Sequence, residues 1–252
     1  MAARCWLTDN NMEIFPIKTR AMLPPKDDIY NVLDEFCPAL REGDVLVVAS
    51  KIVAIHQGRC VLKSEIKDKN DLIKKEADIL FPSEETDGGV VITTIKGNTL
   101  VPFAGIDESN ANGYYILWPE DPDGEAGRIC EYLKKKFSLK NLALIIADSY
   151  CVPLRRGTMG ISIGFYGLNP ANDYRKKIDI FGRTLGITRF DVVDSLAAAG
   201  VSVMGEGDER QPVSIIRGAD FVEFRCDKSS RDSAMPFKED IFYPLLENFR
   251  KP

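Results

Sequence analysis

The chain has one histidine, His56, in 252 residues. A lone imidazole cannot build a zinc centre, and with no partner visible in the sequence it reads as structural or pocket-lining. The cysteines, at 5, 37, 60, 130, 151 and 226, include no CxxC pair, which argues against a zinc ribbon or a thioredoxin-like motif. Reduced cytosolic thiols are the simplest account. A Walker lysine loop is absent, which disfavours a P-loop NTPase. Basic residues are not in excess either: a formal charge of −5 and no Lys/Arg tract leave little to neutralise a nucleic-acid backbone. No apolar run is long enough to span a bilayer, and the opening MAARCWLTDNN lacks the apolar stretch of a secretory signal. The expectation is a cytoplasmic protein without nucleic-acid or membrane partners. No repeat, low-complexity segment or clear linker divides the chain. Residues 12–252 therefore read as a single α+β unit, with two lobes as the open alternative, behind a polar extension at 1–11.

The apolar periodicities predict mixed sheets with flanking helices. A strand at MEIFPIK is interrupted by Pro16, and a helix is expected from about Asp27 to Phe36. DVLVVASKIVAI, rich in β-branched residues, reads as one long strand or two successive ones with Ser50 and Lys51 in the middle. Helices are expected at 71–80 and 125–137, with a hairpin turning at Lys96-Gly97-Asn98 between them. Leu142–Ala147 has the composition of a buried strand. The glycines of MGISIGFYG suggest a strand on which something packs closely, and the polar stretch around 174–181 reads as an exposed loop. A strand at 186–193 precedes a helix that Asp194 is placed to cap, and Val193, Leu196, Ala197, Gly200, Val201 and Met204 recur at helical spacing. A core strand at 212–217 and a short C-terminal helix complete the reading.

Acids recur where these elements end. Asp148 falls where the buried strand leaves the core, with the Ser149 hydroxyl beside it, and Asp107, Ser109 and Asn110 come after another strand. Two strand-end aspartates can share a hard cation through oxygen ligands, the preference of Mg²⁺ or Mn²⁺. Gly105 lets another group approach closely. Arg155 and Arg156 can hold phosphate or carboxylate in a bidentate fork. Glu206 and Asp208 form a third acidic cluster after the glycines that end the long helix, and a solvated loop is the plain alternative there.

Taken together, AGIDESN, ADS, LRRGTMGISIG, FGR and MGEG, in this order and at these separations, resemble the coenzyme F-420-0:L-glutamate ligase family from about Phe15 to Gly218. The resemblance implies a mixed α/β gamma-glutamyl ligase fold assembled as an intertwined homodimer. It implies that GTP or ATP and Mg²⁺ or Mn²⁺ serve to join L-glutamate to a carboxylate of a small-molecule acceptor through an acyl phosphate. Carried over, it makes Asp107, Asp148, Ser149 and Glu206 metal ligands. It assigns Pro16, Ile17, Lys18, Ser50, Lys51, Asn110, Met204, Gly205 and Gly207 to the nucleotide, and leaves Asp148, Arg155 and Arg156 as the catalytic set. The chain departs from the family pattern at Ile55, where a lysine is expected, at Gln57, where an acid is expected, and at Cys151-Val152, where Gly-Arg is usual. Those departures point to a glutamate ligase on a folate-like or other acceptor, or to a nucleotide-binding homologue without catalysis, as the competing readings.

Overall fold

The computed structural model describes residues 11–81, 84–86 and 89–247. Most of the polar extension expected at 1–11 therefore lies outside the described residues. Five strands form the central sheet: β1 (Glu13–Ile17), β2 (Asp44–Ala49), β3 (Leu142–Cys151), β4 (Thr158–Tyr166) and β5 (Val213–Arg217). Their order across the sheet is β1-β5-β2-β3-β4. Only β2 and β3 run parallel, paired from Leu142↔Asp44 to Ala147↔Ala49, and every other neighbour is antiparallel.

Side chains that alternate along β2 and β3 supply two cores, because successive residues of a strand face opposite ways. Leu46, Val48, Leu144 and Ile146 pack against α1 (Ile29–Phe36), α2 (Ser50–Gln57) and α4 (Pro122–Phe137). Val45, Val47, Ala143 and Ile145 pack against α5 (Val192–Met204). Each fully buried aliphatic side chain contributes about 1.5–3 kcal/mol, so this double-faced burial is the main stabilising term. The glycines of β4 do accept close neighbours: a Cβ on Gly160 would lie 2.5 Å from the Ala197 carbonyl oxygen in α5, and one on Gly164 2.5 Å from Cβ of Pro122 at the start of α4. A smaller apolar cluster of Leu72, Ile73, Ile92, Ala104, Ile106 and Leu117 lies under short antiparallel strands and α3 (Lys69–Glu76).

Four expectations need correction. The run DVLVVASKIVAI is strand only to Ala49, and Ser50 begins α2, which ends on the left-handed Gly58. Ser50 and Lys51 thus stand in the first turn of a helix, not within a strand. The second correction concerns 186–193: the strand spans only Arg189–Asp191, and Asp191, not Asp194, caps α5 by accepting the Asp194 N–H at 3.0 Å. Third, β3 does not end at Ala147 but continues to Cys151 with β4 alone as its partner. Fourth, the helix expected at 71–80 spans Lys69–Glu76, and Ile79–Leu80 instead pairs as a short antiparallel strand with Thr94 and Ile95. His56 is structural: its Nδ1 accepts the backbone N–H of Ile29 at 3.3 Å, and its ring meets Tyr30 edge-on. Among the described residues no helix is long and apolar enough to cross a membrane.

Candidate active site

Where β2 turns into α2, β3 runs on without its parallel neighbour, and the gap opens a cavity of about 690 Å³. That is within the usual range for a small-molecule site, roughly 300–1,000 Å³. Five segments line it: the β1–α1 connection, the first turn of α2, the loop carrying Asp107, β3 past Ile146, and the segment after α5. A bulge that leaves Ile163 of β4 without a partner precedes Asp148 in the β3–β4 ladder. Such irregularities bend a strand and re-aim the side chains beside them.

Asp148 lies deep among protein atoms with an edge open to the cavity. Its Oδ1 accepts the Ser50 hydroxyl at 3.0 Å, and its Oδ2 accepts the Trp118 indole N–H. Burial pushes its carboxyl above the ordinary carboxylate range, against these two donors, and the nearby Asp107 charge pushes the same way. Asp107 is held by backbone bonds to Ile116 at 2.9 Å in both directions. Burial opposes its ionisation too, but the Lys51 ammonium 2.8 Å away and the Ser109 N–H and hydroxyl hold its carboxyl below the usual range. Ser149 donates to Glu206 at 2.8 and 3.0 Å, and Thr158 reaches the same carboxylate at 3.3 Å. Asn110 ties the Asp107 loop to the segment after α5 by donating to the Gly207 carbonyl at 2.8 Å.

Gly205, with φ +80°, ends α5, and the chain curls so that the Gly207 N–H donates to Glu209 Oε2 at 2.8 Å. The backbone here receives an anion, which in this structure is the chain's own carboxylate.

The fold therefore brings Asp107, Asp148, Ser149, Glu206, Ser50, Lys51, Asn110, Met204, Gly205 and Gly207 to one cavity. Pro16, Ile17 and Lys18 are not in its lining: Ile17 is buried in the core, and the contribution of this segment comes from Thr19 to Met22 instead. Arg155 and Arg156 also lie outside it, exposed on the β3–β4 turn. Sequence reasoning missed Arg20, Arg210 and Trp118. Gly105 was the available signal for the tryptophan, since the group that approaches it closely is the Trp118 indole, 2.2 Å from where a Cβ would stand. Of the departures from the family pattern, Ile55 lines the cavity. Gln57 is engaged elsewhere, with Glu120 and Glu125, and neither Cys151 nor Val152 reaches the lining.

Five acidic residues, Asp107, Asp148, Glu206, Asp208 and Glu209, and three basic ones, Arg20, Lys51 and Arg210, line the cavity, with the Arg20 guanidinium paired to Asp27. The fold and this lining define an α+β protein with an acidic, small-molecule-sized cavity at the edge of a parallel strand pair. Residues 17–218 match the family described as F420-0:Gamma-glutamyl ligase, and the chain belongs to that family. It is 33% identical over 228 residues to the Coenzyme F420:L-glutamate ligase of Methanothermobacter thermautotrophicus, covering 85% of this chain and 90% of the relative. It is 34% identical over 225 residues to the protein of the same name from Methanosarcina mazei, covering 84% and 87%. With that of Methanopyrus kandleri it shares 31% identity over 250 residues, covering 92% and 97%.

Proposed function

We propose that this chain joins L-glutamate to a carboxylate of coenzyme F420-0 in a reaction driven by GTP or ATP. The observation that carries the chemistry is the excess of carboxylates around a cavity that must admit a polyanionic nucleotide. Such a lining favours phosphate only when a divalent cation enters with it. The donors are oxygens throughout, as Mg²⁺ and Mn²⁺ prefer, and Asp107, Asp148, Ser149 and Glu206 would hold the ion. Among the described residues no three His, Cys, Asp or Glu side chains already form a metal cluster, so phosphate oxygens and side-chain adjustment would complete the coordination. When bound, the ion would neutralise charge on the transferring phosphoryl group.

In this reading the acceptor carboxylate attacks the terminal phosphorus, the nucleoside diphosphate leaves, and an acyl phosphate forms. The amine of glutamate then attacks the acyl carbon, inorganic phosphate departs, the amine gives up a proton, and an amide remains. Catalysis of the first step is largely positioning and charge neutralisation. Lys51 and Arg210 orient phosphate oxygens, and the Gly207 backbone N–H, held here by Glu209, is available to them once that carboxylate moves. Met22, Ile52, Ile55, Val201 and Met204 give the cavity an apolar wall that excludes water from the acyl phosphate. Ile55 favours a second reading as well: an apolar group where the family pattern has lysine suits a different carboxylated acceptor, such as a folate-like pterin. Homodimerisation belongs to the same proposal, supported by the exposed Ile178, Ile180, Phe181 and Ile187 on the 174–187 excursion, which a second copy would cover.

The test is mass spectrometry after incubation with GTP or ATP, Mn²⁺, glutamate, F420-0 and a folate-type acceptor together. One glutamyl increment on F420-0, absent with Asp148→Asn, supports the reading. A glutamylated pterin alone moves the assignment to the second reading, and no glutamylated product with either acceptor overturns the ligase reading. Light scattering of the full chain tests the dimer.

A further inference from the structure

Trp118 borders the cavity chemistry without any part in the ligase scheme. Its side chain is buried, its indole N–H points at Oδ2 of Asp148, and its ring lies against Gly105, where any side chain would displace it. Ser50 meets the other oxygen, Oδ1, at 3.0 Å. Indole N–H is a donor only, so the carboxylate accepts; the Ser149 backbone N–H also favours its charged form, and the roughly four lone-pair sites of a carboxylate still leave room beside these donors. The last torsion of an unconstrained aspartate is broad and two-fold. Donors on both oxygens, one from a buried ring and one from a helix turn, remove that freedom.

We propose that Trp118 is a positioning residue that, with Ser50, fixes the carboxylate plane of Asp148 so that its remaining lone pairs meet a divalent cation in the cavity. The proposal rests on the reading of Asp148 as a cation ligand. Partners that orient a ligating side chain typically alter metal affinity by roughly 10–100-fold when removed.

Trp118→Phe keeps an aromatic ring beside Gly105 and deletes the donor. Calorimetry with glutamate and acceptor withheld would compare binding of the Mn²⁺–GTP complex with binding of GTP in EDTA, circular dichroism confirming the fold at the assay temperature. The expected result is a Kd for Mn²⁺–GTP raised roughly 10–100-fold, with metal-free GTP binding unchanged. An unchanged Mn²⁺–GTP affinity, or equal losses with and without metal, overturns the role of Trp118 alone. If wild-type protein binds GTP no better with Mn²⁺ than in EDTA, the cation reading of the site falls and Trp118 with it. Should Trp118→Phe not fold, Trp6→Phe leaves Trp118 as the sole tryptophan. Paramagnetic Mn²⁺–GTP should then quench its emission more than Mg²⁺–GTP does, and equal emission overturns the proposal.

Discussion

Nζ of Lys51 lies 2.8 Å from Oδ2 of Asp107 and also donates to the carbonyl and hydroxyl oxygens of Ser109, at 2.8 and 3.0 Å. This joins the first turn of α2 to the Asp107 loop across the cavity edge. Nucleotide and cation would separate the pair, the ammonium turning to phosphate and the carboxylate to metal. Lys51→Met should therefore lower kcat/KM for the nucleotide by about 10–100-fold, the loss of one charge-assisted hydrogen bond worth about 1.5–3 kcal/mol. Steady-state kinetics beside a thermal melt decide it. An unchanged kcat/KM takes Lys51 out of the nucleotide site.

Glu209 occupies the curl that Gly205 and Gly207 form, where a Cβ on Gly205 would lie 2.4 Å from its carboxylate carbon. A phosphate entering that curl has to displace a tethered anion. Glu209→Ala should consequently tighten nucleotide binding by a few-fold, measured as Kd by calorimetry. Weaker binding would instead make Glu209 a direct contributor to the cation or the nucleotide.

Away from the cavity, Arg217 holds Asp44 with two bonds of 2.7 Å, and Asp44 is fully buried at the start of β2. Removing one partner of such a pair strands the other charge in a poorly solvated place. Arg217→Ala should cost about 3–5 kcal/mol in urea unfolding at neutral pH. A cost below about 1 kcal/mol, the size of an exposed pair, would mean that water reaches Asp44 once the arginine is gone.

Much of the site was legible because acids that follow apolar runs announce themselves. Asp107 and Asp148 sit beside apolar runs, and the glycines after Met204 mark where a helix must stop. The β2–α2 junction was not legible, because Ser50, Ile52, Val53, Ala54 and Ile55 are all buried and leave no polar face to reveal a helical period. Arg155 and Arg156 misled through adjacency. The ladder continues past Asp148↔Ile161 to Cys151↔Thr158, and these last pairs carry the turn with both arginines out to solvent. Arg20 and Arg210 come together from opposite ends of the chain: the Thr19 N–H donates to the Arg210 carbonyl at 2.9 Å just beyond the β1–β5 pairing. Only the sheet order makes them neighbours.

Asp194 gives the fold a pH dependence of unusual sign. It stands in the first turn of α5, where helix N-termini favour anions, and its Oδ1 accepts the Ser162 N–H at 2.9 Å. Burial and then the charge of Asp191 outweigh both, raising its carboxyl to about 7. The unfolded carboxyl titrates near 3.9. Between those values the folded chain holds a proton that the unfolded chain has released, so stability falls as pH rises. The stabilisation is fully present below about pH 4 and is lost as pH rises through about 7. Asp194→Asn keeps an oxygen for the Ser162 N–H and does not titrate. Relative to this variant, the wild-type chain should have its higher urea midpoint at pH 5 and forfeit that advantage by pH 8. A midpoint difference that stays flat across the range would show that Asp194 is ionised in the folded chain throughout, with the helix terminus prevailing over burial.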